Sequence, residues 1–172
     1  MSFSPPIRPA QAVQAFYRKR FDFESRSRRS EFWWVQLIYL FFGLIAALID
    51  IEVLGYSEEQ MATPVFMLLE IALLIPMTAL TARRLHDVGL TGWAQLPTFF
   101  FYIEYIPGYE GFVFGGLGES GGLEKSGAEL GFALLMCLYL FWLIFYLVKD
   151  GEGGANRFGE NPKEPSLSET FD

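Results

Sequence analysis

The chain has 172 residues, 52% of them hydrophobic and 17% aromatic, and a formal net charge of −7. That length holds one domain, and it leaves no room for a catalytic domain beside a membrane bundle. So much apolar surface exceeds what a soluble core of this size can hide, and basic residues this few and dispersed exclude a nucleic-acid interface.

Residues 1–8 carry two prolines and read as a disordered N-terminus. From Pro9 to Phe23 the pattern predicts a short amphipathic helix, with Pro9 at its first position and Val13, Phe16, Tyr17 and Arg20 at helical spacing. Such a helix can lie on an anionic leaflet or pack on the bundle. No cleavable signal peptide is evident, so Phe32 onward serves as an internal anchor. Ser27 or Ser30 can cap the helix that follows, and Glu31 suits its first turn. Trp33 and Trp34 belong at headgroup level.

Residues 32–49 run without a charge, enough to cross about 30 Å of hydrocarbon. Asp50 and Glu52 end this first span and open an acidic loop. A second span covers 62–82, interrupted by Glu70 and Pro76. The polar stretch Arg83-Arg84-Leu85-His86-Asp87-Val88-Gly89-Leu90-Thr91-Gly92-Trp93 then reads as a hairpin holding the only histidine. Residues 91–106 form a third, short apolar segment with Pro97 and Glu104. A glycine-rich loop over 107–128 leads to a clean final span at 130–148. Residues 163–172 read as a disordered tail, which leaves 9–162 as a single membrane domain.

Charge placement orients these spans. With four crossings, 12 of the 13 Lys and Arg residues fall on one side and Lys125 alone on the other. Positive residues mark the cytoplasmic side, so both termini are cytoplasmic. The expected fold is an all-α membrane protein with four transmembrane helices, N-in and C-in, and a short N-terminal amphipathic helix.

Three pieces carry a family resemblance. They are Arg26…Arg29-Ser30-Glu31-Phe32-Trp33, the Arg83–Asp87…Gly89…Thr91-Gly92-Trp93 stretch, and Gly154-Ala155-Asn156-Arg157-Phe158-Gly159-Glu160-Asn161-Pro162. In this order, separated by apolar spans, they resemble the bacterial inner-membrane family catalogued as domain of unknown function 805. The likeness covers about residues 15–162 and departs from the family pattern at Ser25 and Arg28. It implies a multi-pass protein of the bacterial inner (plasma) membrane and brings no established activity.

The candidate site is a cytoplasmic polar cap of Arg26, Arg29, Glu31, Arg83, Arg84, His86, Asp87 and Asn156. Arg83 and Asp87, four apart, can pair on an exposed helix end for about 0.3–0.5 kcal/mol. In one reading the stretch is a hairpin clamp, with Arg84 on lipid phosphates and His86 satisfied locally. In another, Arg26, Arg29, Arg83, Arg84 and His86 form a pocket for an anionic headgroup or a nucleotide-like ligand, since the arginine fork suits phosphate. A catalytic His86–Asp87 pair is disfavoured, because neighbours on a helix point about 100° apart and no nucleophile stands nearby.

A second candidate is intramembrane Glu70. It is expected to be neutral and hydrogen-bonded to Tyr102 or Tyr139, or else to line a proton or cation path. Gly43 and Ala47 offer a small-xxx-small spacing for close helix approach. Cys137, the lone cysteine, reads as a buried thiol in an apolar run. Residues 151–159 lack the P-loop and dinucleotide spacings and read as glycine turns that close the cap. No cofactor or metal set is expected.

These features point to a non-enzymatic scaffold, regulator or partner subunit acting through the cap. A small transporter or channel using Glu70, or an anionic-lipid-binding or lipid-modifying protein, are the alternatives. The expected partners are the bilayer, its anionic headgroups and a membrane protein.

Overall fold

The computed structural model describes residues 7–55, 64–99 and 127–164. Helix α1 runs Pro9–Arg18, α2 Arg29–Leu48, α3 Pro64–Asp87 and α4 Gly127–Val148; a π-helical turn, Ile49–Val53, prolongs α2. A 3-10 helix occupies Gly92–Phe99. There is no strand among the described residues, only an isolated bridge between Asn156 and Gly159.

Three helical stretches, Arg29–Val53, Pro64–Asp87 and Gly131–Val148, are long and apolar enough to cross a membrane. Of the third apolar segment expected over 91–106, the described part is the 3-10 helix; residues 100–106, Tyr102 among them, lie outside the described residues. The glycine-rich loop 107–126 lies outside them as well.

Contacts divide the chain into two units. One comprises residues 1–92 with 147–172, and the other Trp93–Tyr146. In the first unit, α1 packs on α2 and touches α3, and α2 packs on α3. The seam of α2 is the stripe Phe32, Val35, Gly43 and Ala46, spaced to fall on one helix face. A Cβ placed on Gly43 would come within 3.3 Å of the Phe66 ring, so glycine here admits α3 closely. In the second unit the Tyr139 hydroxyl donates to the Ala94 carbonyl at 2.8 Å. Cys137 is exposed on α4, not buried as expected from its apolar run.

Several helix ends differ from the sequence reading. α1 stops at Arg18 instead of Phe23, because Asp22 folds the next residues into a turn: its carboxylate accepts the Glu24 and Ser25 amides at 3.0 and 3.1 Å. Neither Ser27 nor Ser30 caps α2; Arg28 is the N-cap residue and makes no side-chain cap bond.

At the far end of α2, Asp50 does more than end a span. The π-helical turn buries it and points its carboxylate at α3, where it accepts the Val65 and Phe66 amides at 3.0 and 2.9 Å. An anion on the free N–H groups of a helix start is favourable, and removing such a cap costs about 1 kcal/mol. Asp50→Ala is therefore expected to lower unfolding stability in micelles by about that amount, with Asp50→Asn recovering most of it.

The distribution of burial is inverted relative to a soluble protein. Leu40, Phe41, Leu44, Leu68 and Phe141 are exposed along the helices, while Arg26, Glu31, Asp50, Arg83, Arg84 and Asp87 are buried. Large apolar faces outside and paired charges inside are what a hydrocarbon solvent selects.

Candidate functional site

α3 does not end where its apolar run ends. It continues through the polar stretch, and residues 82–88 are all buried. The helix then closes on glycine: Gly89 has φ +80°, its amide donates to the His86 carbonyl, and the Leu90 amide reaches back to Leu85. This is a Schellman cap, which needs the left-handed residue that glycine supplies without a side-chain penalty. Gly92 then returns against α3, its virtual Cβ only 2.8 Å from the Ala82 Cβ.

The carbonyls of this last turn are met from two other segments. Ser27 N–H donates to Arg83 at 3.1 Å, Glu152 N–H to Asp87 at 2.8 Å, and the Asn156 side-chain amide to His86 at 2.9 Å. Two segments remote in sequence, 22–31 and 147–162, thus clasp the C-terminus of α3. A helix end carries unpaired carbonyls and partial negative charge, so donors gather there.

Asp87 is the centre of the cap. Its Oδ1 accepts from Arg26 Nε and Nη2 at 3.2 and 3.0 Å, and its Oδ2 from Arg84 Nη1 at 2.6 Å. Both guanidinium groups then finish on backbone carbonyls. Arg26 reaches Glu152, Gly154 and Gly159 at 2.8, 2.8 and 3.2 Å. Arg84 Nε donates to Leu147 at 3.0 Å and its Nη2 to Lys149, covering the C-terminus of α4. Arg83 does the same for α1, donating to the Lys19 and Asp22 carbonyls. Each arginine uses its planar fork to bridge several acceptors, which a lysine cannot do.

Arg83 pairs with Glu31 at 3.7 Å, and not with Asp87 as the four-residue spacing suggested. That contact is an ion pair without a hydrogen bond: Glu31 Oε1, Arg83 Nε and Nη2, and the Ser27 hydroxyl are buried without a hydrogen-bond partner among the described residues. The Asp87 half of the cap is therefore its tight half. None of these pairs is the exposed, weakly stabilising kind, since Arg26, Arg84 and Asp87 are at most 4% exposed.

His86 lies flat on Phe158, with ring centroids 3.8 Å apart and planes 3° from parallel. Its Nδ1 faces the Glu24 carbonyl at 3.1 Å. The His86 ring thus holds the same two segments as Asp87 does, while the Asp87 oxygens face arginines. Arg29, by contrast, stands at the rim, in an exposed pair with Asp150 at 3.3 Å. Arg28 donates to the Pro162 carbonyl and Arg157 to Gly89, adding two further ties to the tail.

Of the eight cap candidates, six are buried together, Asn156 joins them half-buried through the His86 carbonyl, and Arg29 stands at the border. Sequence reading missed Ser27, Glu152 and Gly151, whose roles are carried by backbone groups or by the absence of a side chain. Asp22 was missed too, although an Asp three residues before a Ser is a recognisable turn signal. Of the intramembrane candidates, Glu70 is half-buried on α3, and the Tyr139 hydroxyl is taken by Ala94. Among the described residues no group of three His, Cys, Asp or Glu side chains could hold a metal.

Asp22 gives the cap a pH-sensitive edge. Partial burial pushes its carboxyl up, but the Ser25 hydroxyl, the Ser25 and Glu24 amides and the Arg83 charge outweigh this and hold it below the usual carboxylate range. A depressed folded-state pKa contributes stability above the unfolded value of about 3.9, and that contribution is lost as pH falls through the folded value. Thermal unfolding in detergent should therefore show the wild type losing its advantage over Asp22→Asn below about pH 4. An advantage constant down to lower pH would contradict the assignment.

Comparison with known proteins finds a family model and relatives in the inner membrane. The model of the family described as protein of unknown function (DUF805) matches residues 20–160, which contain nearly the whole cap. The chain is similar to the inner membrane protein YhaI of Escherichia coli K12, with 28% identity over 142 residues, 82% of this chain and 86% of that protein. It is similar also to the inner membrane protein YhaH of the same strain, with 25% identity over 146 residues, 82% of this chain and 87% of that one. No solved structure matches.

Proposed function

The chain belongs to the DUF805 family of multi-pass inner-membrane proteins, and from that premise we propose that it is a non-enzymatic scaffold or partner subunit that presents its cap as a prefolded cytoplasmic platform. The observation that carries this reading is that the Asp87 half of the cap is satisfied from within the protein. Asp87 is shared by two arginines, and Arg26, Arg83 and Arg84 all finish on backbone carbonyls. A catalytic centre or an anion pocket keeps some of its groups directed at the ligand. Here a phosphate would have to displace acceptors that already hold the helix ends.

The platform faces the cytoplasm in this reading, with four crossings. The bias of basic residues to one side supports it. So does the Arg84–Leu147 bond, which brings the last residues of α4 to the end of α3.

A photoreactive residue placed in living cells at exposed Arg157 or Glu160 tests the proposal. The expected result is a discrete protein adduct at these positions that disappears when Gly151→Ala opens the cap. No adduct at either position, or an adduct indifferent to Gly151→Ala, would overturn it.

A further inference from the structure

Residues 1–21 contain Arg8, Arg18, Lys19 and Arg20 and no acid, in a chain whose net charge is −7. The cap leaves most of this cluster outside: Arg8 and Arg18 are exposed, while Lys19 gives its carbonyl to Arg83 and its charge to Glu31. Arg8, Arg18 and Arg20 make no ion pair among the described residues, which leaves their charge open to an anion from outside the protein.

The faces of α1 say what kind of counterpart. Successive residues turn by about 100°, so Ala12 and Phe16 share the side packed on α2. Ala12 is fully buried there and Phe16 half-buried. Val13 and Tyr17 form one flank beside that side, exposed by 43% and 67%. Gln11, Gln14 and Arg18 form the other flank, exposed and polar. Phe21, 64% exposed, extends the apolar flank past the helix end, and Arg20 lies over both aromatic rings at 4.7 and 5.1 Å from their centroids. An apolar flank and a polar flank on either side of a packed stripe, with cations at the end, is the arrangement of a helix lying in a bilayer interface. Its partner helix α2 is itself of membrane-spanning length, which brings α1 to the bilayer.

We propose that α1 and residues 19–21 form a binding surface for anionic lipid headgroups, with Val13, Tyr17 and Phe21 dipping below the headgroups and Arg8, Arg18, Lys19 and Arg20 contacting their phosphates. Aromatic rings prefer that depth, and each nearby cation adds attraction to an anionic surface. The surface meets the cap at Lys19 and stands whether or not the cap receives a protein partner.

The test uses the full chain with Cys137→Ser, spin-labelled at Val13→Cys or Gln14→Cys and reconstituted into nanodiscs of phosphatidylcholine with or without phosphatidylglycerol. Collision with oxygen reports immersion in lipid, and collision with a nickel chelate reports exposure to water. With phosphatidylglycerol present, the label at 13 should collide mainly with oxygen and the label at 14 mainly with the chelate. The oxygen preference at 13 should fall in pure phosphatidylcholine and in Arg8→Gln/Arg18→Gln, whose side chains lie outside the cap. Equal chelate access at 13 and 14 in anionic bilayers would overturn the proposal. So would immersion that ignores lipid charge, or protection at 13 from both reagents, which would mean that protein covers the flank.

Discussion

Asp87→Asn is expected to destabilise the protein by about 3–5 kcal/mol, the cost of leaving buried charge without its counter-ion. The carboxylate sits between Arg26 and Arg84 at 3.0 and 2.6 Å, and all three side chains are at most 2% exposed. Asparagine keeps the shape and loses the charge. It also turns two N–H donors toward a site where only acceptors are wanted, so at least one guanidinium group loses its partner. Arg84→Lys should be nearly as damaging, because one ammonium cannot hold Asp87, Leu147 and Lys149 at once. Equilibrium unfolding in mixed micelles measures both variants. Loss of less than about 1 kcal/mol in Asp87→Asn would mean that the network contributes no more than exposed ion pairs do.

Gly151→Ala carries the second large effect, and it isolates space from charge. A Cβ at this position would stand 2.0 Å from Asp87 Oδ2 and 2.5 Å from its Cγ. The carboxylate cannot yield, since arginines hold both of its oxygens. The tail must therefore leave, taking with it the Glu152 amide and the carbonyls that end Arg26. The expected cost is about 3 kcal/mol or more, comparable to breaking the buried pair outright. Gly153→Ala, two residues on, meets nothing within 4 Å and should be close to neutral. Gly154→Ala meets no atom either, but its φ of +79° should cost about 1–2 kcal/mol. The order Gly151, Gly154, Gly153 in stability loss is thus fixed by geometry; a Gly151→Ala protein as stable as Gly153→Ala would contradict the packing of the tail on Asp87.

Much of this was readable before any coordinates. Long apolar runs located α2, α3 and α4, even with Glu70 and Pro76 inside the second, because a bilayer demands length and hydropathy and little else. Charge placement, taken with four crossings, put the three polar motifs on one face as an expectation. What the sequence does not carry is the direction in which a buried charge points. Arg84 looked like a lipid-phosphate ligand, and it is instead closed over the end of α4. Arg83 looked like the partner of Asp87 because positions three and four apart are equally near on a helix, and the choice falls to the surroundings. The clasp of residues 22–31 gave Glu31 to Arg83 and left Asp87 to Arg26 and Arg84. Backbone roles were invisible for a related reason: the Ser27 and Glu152 amides act through groups every residue has. Asp50 was legible as the end of a span but not as a cap, since the π-helical turn that aims it at α3 has no sequence signature.

The central claim is that three segments remote in sequence fold into a single cap centred on Asp87. Amide hydrogen exchange at Ser27 and Glu152 tests it most directly. Both amides lie outside helices and donate across the cap, to Arg83 and Asp87. Their protection therefore reports the cap and not local helix stability. The account predicts that the two exchange slowly, with similar protection, and that Asp87→Asn releases both together. Glu152 exchanging at the rate of an open chain while Ser27 stays protected would show that the tail is not part of the cap, and would contradict the account.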